Sequence, residues 1–350
     1  MARRSRPTIV DVAGAAGVSK SLVSLVMRGA PNVSDDARAA VLEAARVLGY
    51  RPNTMARSLA EQRSHVLGLM VSDLTNPFFV DVINGASEAA IEGGYRALVN
   101  TGDRDREREV DALETMLRMQ ADGMIVAAPI VSEDLLERIG SETPTVVTSR
   151  GLESTIIDSV VLDDEAGARL AVDHVVSLGH RRIAHIDGGP GPGARQRVRG
   201  YRAAMEAHGL GAHIQVADGA YTEEGGVQGA LDLLADGLPP TAVIAANDMA
   251  AIGALETLEA HGLTVPGDVS LVGFDDIFLA GLRHVGLTSV RQDGRRMGTL
   301  AVEMLIERTE HDRTVARHIV LEPELTVRST TAPASNRKRD PAVETTTRYR

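Results

Sequence analysis

From residue 66 onward, apolar runs alternate with amphipathic segments, and this alternation limits the possible folds more than any other feature of the chain. Strands are predicted at 66–72, 97–100, 123–127, 145–148, 159–162, 182–186, 242–246 and 270–273. Helices are expected near 79–93, 105–120, 132–139, 164–178, 195–208, 222–235 and 248–260. Continuous apolar strands that alternate with helices are typical of parallel sheets covered on both faces. The length of this region fits two doubly wound sheets better than one.

Residues 8–50 have a different pattern, in which capping and glycine signals predict three short helices. Thr8 and Asp11 form a capping-box pattern, Ser19 can cap a second helix, and Ser34 can begin a third. The apolar stripes are Ile9, Val12, Ala13 and Ala16; Leu22, Val23 and Val26; and Val41, Leu42, Ala45 and Leu48. Two capped helices that meet at a glycine predict a helix-turn-helix at 8–28, whose short second helix would lie in the DNA major groove. A three-helix bundle without any ligand is the alternative.

The charge of the chain is distributed unevenly along its length. Residues 1–63 contain ten Lys or Arg and five Asp or Glu, which gives this segment a charge of +5. Since the net charge of the chain is −11, the remaining residues carry a charge of −16. A basic head on an acidic body suits phosphate binding by the head alone, because the body is repelled from DNA. A solvated basic face without a partner gives the same charge pattern.

Several classes of protein are disfavoured. The absence of cysteine excludes disulfides, thiolate metal sites and a cysteine nucleophile. There is no signal-peptide pattern and no apolar stretch long enough to span a membrane, so we expect a cytoplasmic protein without membrane contact. We find no dinucleotide G-x-G-x-x-G, no G-x-S-x-G and no acid/base pair, so we expect neither an enzyme nor a bound cofactor or metal. The glycine-rich segment 188–193 contains two prolines, which donate no amide hydrogen, and His174, His180 and His185 lack metal-ligand spacing and are expected as caps or at the surface.

Motifs along most of the chain resemble those of the lactose/galactose repressor family. They are T-I-V-D-V-A-x-x-A-G-V-S at 8–19, L-G-Y-R-P-N at 48–53, A-R-S-L-A at 56–60, D-L-T-N-P-F-F at 73–79, L-G-H-R-R-I-A at 178–184, A-N-D at 246–248, V-P-G-D-V-S-L-V-G-F-D-D at 265–276 and L-T-S-V-R-Q at 287–292. The resemblance covers about residues 7–328. It implies a regulator, expected to be a repressor, whose dimers or tetramers bind palindromic operator DNA under the control of a small effector.

The resemblance also implies a domain organisation. A small all-α helix-turn-helix headpiece (1–51) and a hinge helix (52–63) would precede a two-lobed α/β core (64–330) like that of periplasmic sugar receptors. The N-lobe would comprise about 64–161 and 292–318, and the C-lobe about 162–290 and 320–330. Residues 331–350 lack apolar periodicity, which predicts a disordered tail. A sugar receptor without DNA binding is disfavoured by the basic head.

Positions in the head match the DNA-binding residues of the family. Lys20, Ser21 and Leu25 match base-reading positions, and Thr8, Ser19, Ser24, Ser34 and Asn53 match phosphate-contacting or supporting ones. Ala56, Arg57 and Leu59 match the hinge helix, where Leu59 would wedge between base pairs in the minor groove. The family's V-S-R-V-L-N is V-S-L-V-M-R at 23–28, so Leu25 replaces a base-reading Arg and Arg28 replaces an Asn. The side chain of Leu25 can pack on a thymine methyl. For Arg28 two roles remain open, contact with a base or contact with a phosphate alone.

A second set of positions matches the effector site of the family. The set is Asn76, Phe78, Phe79, Arg150, Arg197, Tyr221, Asn247, Asp275 and Gln292. Several of these residues sit at predicted strand ends, where open α/β sheets bind ligands. Rings that stack on C–H faces and groups that bind hydroxyls suit a small neutral sugar or polyol, with a monosaccharide as the expected size. Ser149 stands where sugar binders often carry Asp, and a non-sugar effector is the alternative.

Overall fold

The computed structural model describes residues 7–27, 29–50, 63–235, 239–311 and 313–334. Its contacts divide the chain into a small unit, residues 1–65, and a large unit, residues 66–350. Arg28 and the predicted hinge residues Asn53, Ala56, Arg57 and Leu59 lie outside the described residues.

The small unit contains three helices, α1 (Ile9–Ala16), α2 (Lys20–Met27) and α3 (Asp35–Leu48). The Thr8 amide donates to Asp11 Oδ2 at 2.7 Å, and Leu22 N donates to Ser19 Oγ at 3.2 Å, so both predicted caps are present. The buried side chains include Val12, Val23, Val26, Val41 and Ala45.

One predicted core residue of the small unit is not buried. Leu42 is 50% exposed. The buried stripe of α3 follows Val41 and Ala45 at the four-residue spacing, and a residue one position after Val41 is rotated by about 100° around the helix. Its place in the predicted stripe was therefore wrong.

The first sheet of the large unit forms the N-lobe. Its order is β2-β1-β3-β4-β5-β11, and every neighbouring pair is parallel. The strands are β1 (Val66–Val71), β2 (Arg96–Thr101), β3 (Gly123–Ala127), β4 (Thr145–Thr148), β5 (Asp158–Leu162) and β11 (His318–Leu321). The helices of this lobe are α4 (Pro77–Glu92), α5 (Arg106–Arg118), α6 (Glu133–Glu142) and α11 (Gly294–Glu310).

The second sheet forms the C-lobe, in the order β7-β6-β8-β9-β10-β12, with only β12 antiparallel to its neighbour. Its strands are β6 (Ile183–Ile186), β7 (Gln215–Ala217), β8 (Ala242–Ala245), β9 (Ser270–Asp275), β10 (Thr288–Arg291) and β12 (Glu324–Thr326). Its helices are α7 (Asp164–Ser177), α8 (Ala194–Ala207), α9 (Glu223–Ala235) and α10 (Asp248–Ala260), with 3-10 turns at Gly211–His213 and Phe278–Gly281. The two-lobed α/β fold class with a small α-helical unit is confirmed.

The chain passes between the lobes three times, after β5, after β10 and between β11 and β12. The second passage leads into α11, which packs along α4 of the N-lobe. A Cβ atom on Gly298 would come within 2.1 Å of the Val82 carbonyl oxygen, and one on Gly85 within 2.0 Å of the Arg295 carbonyl oxygen. These two glycines therefore allow the backbones of α4 and α11 to touch.

The sequence did not predict α11, β7, β10, β11 or β12. β7 and β12 are three residues long, too short for an alternation pattern to be recognised. α11 contains Gly294 and Gly298 in its first turns, and glycine weakens a helix prediction. Packing against α4 compensates for that weakness, which only the folded protein reveals.

The residues just after the last strand differ from the expected disordered tail. Ala334 N donates to the Leu178 carbonyl at 2.9 Å, and the Ala332 carbonyl accepts from His180 Nε2 at 3.0 Å. Residues 331–334 are thus held beside the end of α7, and the expectation of disorder was wrong for them. Residues 335–350 lie outside the described part of the chain.

Two histidines expected as caps or at the surface are buried instead. His180 is 3% exposed, and His185, in the middle of β6, is 1% exposed. His185 Nδ1 donates to the Ile244 carbonyl at 2.9 Å, and the ring stacks on Tyr201 with centroids 5.4 Å apart. Burial lowers the pKa of His185 to about 4, so the ring is neutral at physiological pH.

No single helix among the described residues is long and apolar enough to cross a membrane. The helices α1 and α2, which are bent by 104° relative to each other, reach that length and apolar composition only when they are taken together.

Candidate functional site

The carboxyl ends of strands from both sheets meet at one cleft between the lobes. Ser72 follows β1 and Ser149 follows β4 in the N-lobe, while Asp275 ends β9 and Gln292 follows β10 in the C-lobe. The cleft encloses a cavity of about 200 Å³. Its lining residues are Ser72, Asp73, Asn76, Phe78, Phe79, Arg104, Ala128, Ile130, Ser149, Gly188, Pro190, Gly191, Pro192, Arg197, Ala220, Tyr221, Asn247, Asp275 and Gln292.

A buried arginine lies between two carboxylates at the C-lobe side of the cleft. Arg197 Nε donates to Asp164 Oδ1 at 2.8 Å, and its Nη1 lies 3.7 Å from Asp275 Oδ1. Nη1 also donates to the Ala246 carbonyl. The guanidinium carbon sits 3.5 Å from the ring centroid of Phe274, so the cation has an aromatic face as well. Arg197 is thereby fixed in position, and its charge is already balanced by carboxylates.

Asp275 is the most perturbed acid of the cleft. Burial raises its pKa to about 7; Asp164 acts in the same direction, whereas Arg197 and hydrogen bonds from Gln292 and Asn76 lower it. Gln292 Nε2 donates to Asp275 Oδ1 at 3.0 Å. The backbone of Asp275 has φ of 103°, which an L-residue rarely adopts. The carboxyl group is therefore fixed in position. Near pH 7 both its neutral and its charged form are populated.

Aromatic rings form the apolar faces of the cleft. Phe78 and Phe79 are 4% and 7% exposed, and their ring centroids lie 5.3 Å apart in an edge-to-face arrangement. The Tyr221 ring lies so close to Gly188 and Gly191 that a Cβ on either glycine would come within 2.6 Å of it or less. Tyr221 Oη donates to the Pro192 carbonyl at 2.9 Å. The glycine-rich segment 188–193 thus forms the surface on which the Tyr221 ring packs.

Two asparagines begin helices at the cleft, one from each lobe. Asn76 Oδ1 accepts from Phe78 N at 3.0 Å at the start of α4. Asn247 Oδ1 accepts from Ala250 N at 2.9 Å at the start of α10, and its Nδ2 donates to the Tyr221 carbonyl at 3.3 Å. Capping fixes both amide groups where they line the cleft.

Most of the residues expected from the sequence to bind an effector line this cleft. Only Arg150 does not, because its Nη1 donates to the carbonyls of Pro129 and Val131 at 3.1 and 2.6 Å, beside a neighbouring groove. Sequence reasoning missed Asp73 and Arg104, whose charged groups lie 3.5 Å apart at the cleft, and Asp164. Asp73 could have been found, because it follows the first apolar strand directly. Asp164 stands at a predicted helix start, where an acidic residue is explained by the helix dipole alone. Its contact with Arg197 could therefore not be predicted from the sequence.

The head residues expected to contact DNA lie on an accessible surface of the small unit. Ser19, Lys20 and Ser21 are exposed, Leu25 is 37% exposed, and Ser24 is half-buried. Residues at 20, 21, 24 and 25 share one face of α2, opposite the buried Val23 and Val26. Thr8 and Ser34 are exposed and cap α1 and α3.

Among the residues that the structure describes, no group of three or more His, Cys, Asp or Glu is arranged to hold a metal ion.

Comparisons with known proteins match both units. The family model described as "Bacterial regulatory proteins, lacI family" matches residues 8–53, and that described as "Periplasmic binding protein-like domain" matches residues 172–331. The HTH-type transcriptional regulator DegA of Bacillus subtilis is 35% identical over 94% of this chain and 99% of the relative.

Two solved structures are similar over much of the chain. The structure of the lac repressor dimer bound to operator and the anti-inducer ONPF has a TM-score of 0.83 and 28% identity, over 94% of this chain and all of that one. A LacI family transcriptional regulator from Enterococcus faecium, solved with bound ribose, has a TM-score of 0.71 and 26% identity, over 77% of this chain and all of that one.

Proposed function

Because the chain belongs to the LacI family of bacterial regulatory proteins, we propose that it represses transcription by binding a palindromic operator as a dimer, under the control of a small sugar-like effector. Family membership makes it a DNA-binding transcriptional regulator and not an enzyme, as the motifs of the sequence predicted. The operator, the dimer and the effector are the parts of the function that we propose.

The accessible face of α2 supports the DNA-binding part of the proposal. Lys20 and Ser21 present a cation and a hydroxyl at the start of a short helix, where a recognition helix reads base edges. The charge of +5 on residues 1–63 supplies the attraction to phosphates. Arg28 and the hinge residues would extend the contact along the phosphates and into the minor groove.

Exposed apolar side chains on the large unit support the dimer. Leu98 and Val99 on the edge strand β2 are 40% and 38% exposed, and Phe278 and Leu282 near the end of β9 are 69% and 47% exposed. A second copy that covers such residues removes apolar area from water at each of them. In a symmetric dimer the two heads are paired, which matches a palindromic operator.

The observation that carries the effector proposal is the Arg197–Asp275 pair beside the rings of Phe78, Phe79 and Tyr221. A carboxylate and a guanidinium side by side can accept from and donate to neighbouring hydroxyls of one sugar ring. The aromatic faces suit the C–H faces of that ring. Arg197 is already paired with Asp164 and Asp275, so the cleft offers little attraction to a phosphate-bearing effector.

The effector would act by favouring one arrangement of the lobes. It would contact Asn76 and Phe78 of the N-lobe and Arg197 and Asp275 of the C-lobe at the same time. A ligand that binds one arrangement better shifts the population toward it, and the coupling to DNA affinity is reciprocal.

A mobility-shift experiment with fragments of the source genome tests the DNA-binding proposal. We expect retardation of one or a few fragments, with an affinity that falls about 10³-fold between 50 and 200 mM salt if six or more phosphates are neutralised. One sugar of a monosaccharide and polyol panel should release or strengthen the complex. Binding that does not respond to salt would contradict the DNA-binding surface, and a response to a nucleobase or amino acid alone would contradict the effector class.

A further inference from the structure

A second groove, called the outer groove below, adjoins the cleft between the lobes. It lies between residues 129–133 and 149–151 of the N-lobe and residues 189–196 of the C-lobe, and has a volume of about 410 Å³. Ile130, Ser149, Pro190, Gly191 and Pro192 line both the cleft and this outer groove, so the two spaces adjoin each other. The ion pair of Arg197 and Asp164 is shared between the two spaces, because Arg197 lines the cleft and Asp164 lines the groove.

The N-lobe wall of the outer groove is fixed from two sides. The fully buried Glu109 of α5 accepts from the amides of Ile130 and Val131 through Oε2, at 2.8 and 3.1 Å. Arg150 donates to the carbonyls of Pro129 and Val131 in the same segment. Backbone groups of this wall are therefore used internally, and its shape is set before any ligand arrives.

The C-lobe wall is fixed as well. The Tyr221 ring lies against Gly188 and Gly191, Tyr221 Oη donates to the Pro192 carbonyl, and Asp187 Oδ1 accepts from Gly189 N at 2.9 Å. Pro190 and Pro192 present apolar faces along the groove. A groove whose walls are held in this way loses little conformational entropy on binding.

At the rim of this fixed groove two polar side chains are left without partners. Within the described part of the chain, neither the side chain of Arg195 nor that of Gln196 has a hydrogen bond or an ion pair, although both residues line the groove. The nearby Arg150, in contrast, is engaged with carbonyls and lies 3.5 Å from Glu133. Arg195 and Gln196 offer hydrogen-bond donors, and Gln196 an acceptor as well, for hydroxyls.

We propose that the outer groove is a second sugar subsite, so that the effector is a two-ring glycoside whose second ring is held by Arg195 and Gln196. This inference rests on the proposed function, which places the first ring at Arg197 and Asp275. The second ring passes between the prolines of 189–193 and Ile130, and its hydroxyls accept from the Arg195 guanidinium and pair with the Gln196 amide.

Calorimetry with matched pairs of sugars tests the second subsite. The probes are glucose with cellobiose and maltose, and galactose with lactose and melibiose, titrated into the full chain. We expect one disaccharide to bind at least about tenfold more tightly than its component monosaccharide, the effect of one or two added hydrogen bonds. The double variant Arg195→Ala/Gln196→Ala should lose that advantage and keep the monosaccharide affinity within about twofold.

Arg199→Ala is the matched control. Arg199 lies on the same helix, carries the same charge and pairs with Glu165 at 2.7 Å, but lines neither space. It should leave both affinities unchanged. Equal affinities for monosaccharide and disaccharide, or a double variant that weakens both equally, overturn the second subsite and leave the proposed function standing. A wild-type protein that binds no sugar of the panel overturns both the subsite and the sugar effector.

Discussion

Effector binding should depend on pH through Asp275. Burial raises the pKa of this carboxyl to about 7. Hydroxyls that donate to it favour the charged form, so the effector lowers this pKa in the complex and binding releases a proton. The affinity is therefore constant above pH 7 and falls as the pH drops below the raised pKa of the free protein.

The size of the effect follows from the same pKa. Below pH 7, each further pH unit adds about 1.4 kcal/mol to the free-energy cost of removing the proton from Asp275. The affinity for the effector should therefore fall about tenfold per pH unit. Loss of the carboxylate in Asp275→Ala removes charged hydrogen bonds of about 1.5–3 kcal/mol each, so binding should weaken by several kcal/mol. DNA binding in the absence of effector should survive, because the head is a separate unit.

Calorimetry at pH 5.5, 6.5 and 7.5, with the sugar that binds most tightly, measures this dependence. We expect the affinity to fall about tenfold per pH unit below pH 7. Asp275→Asn is the matched control, since it keeps the shape of the side chain and cannot titrate. Its weaker binding should be the same at all three pH values. A wild-type affinity that does not change across this range refutes the reasoning that the charged carboxylate accepts from the effector.

Three other predictions concern the head and the core. Leu59→Ala should weaken operator binding and reduce DNA bending in a circular-permutation assay, with unchanged dimerisation and sugar affinity; equal bending by both proteins would rule out a wedge. Because Leu25 replaces a base-reading Arg, selection from random DNA should give an A·T pair where relatives prefer G·C, and recovery of G would assign the contact to Arg28 or Lys20. Since burial lowers the pKa of His185 to about 4, the wild type should lose about 2 kcal/mol more stability to urea between pH 7 and pH 5 than His185→Gln does, and equal losses would contradict this.

Much of the cleft could be predicted from the sequence, because the residues after buried parallel strands meet at one edge of each sheet. That rule places Asn247 and Asp275 together, whereas Gln292 follows the unpredicted strand β10 and is placed by the family resemblance. It does not reveal Asp164, since its contact with Arg197 joins two helix starts and depends on how α7 packs against α8. The family resemblance also places Arg150 in the cleft, but its guanidinium donates to neighbouring carbonyls outside the cleft.

In the fold, the strong local signals were sufficient and the weak ones were not. The caps at Thr8 and Ser19 follow from side chains that accept from nearby amides, which local sequence determines. α11 could not be found locally, because its glycines are favourable only where Gly298 meets the backbone of α4. The burial of His185 likewise depends on a carbonyl of the neighbouring strand, at Ile244.

The passage of the chain into α11 sets the order in which the lobes can be completed during synthesis. Strands β6 to β10 emerge from the ribosome as one continuous stretch and can pair as they appear. The N-lobe begins first and finishes late, since α11 and β11 are translated only after that stretch. Until then the face of α4 that carries Val82 and Gly85 has no cover, and Phe78 lacks its neighbour Gly294. A nascent chain that stalls before residue 294 therefore presents an unfinished, apolar N-lobe to chaperones and proteases.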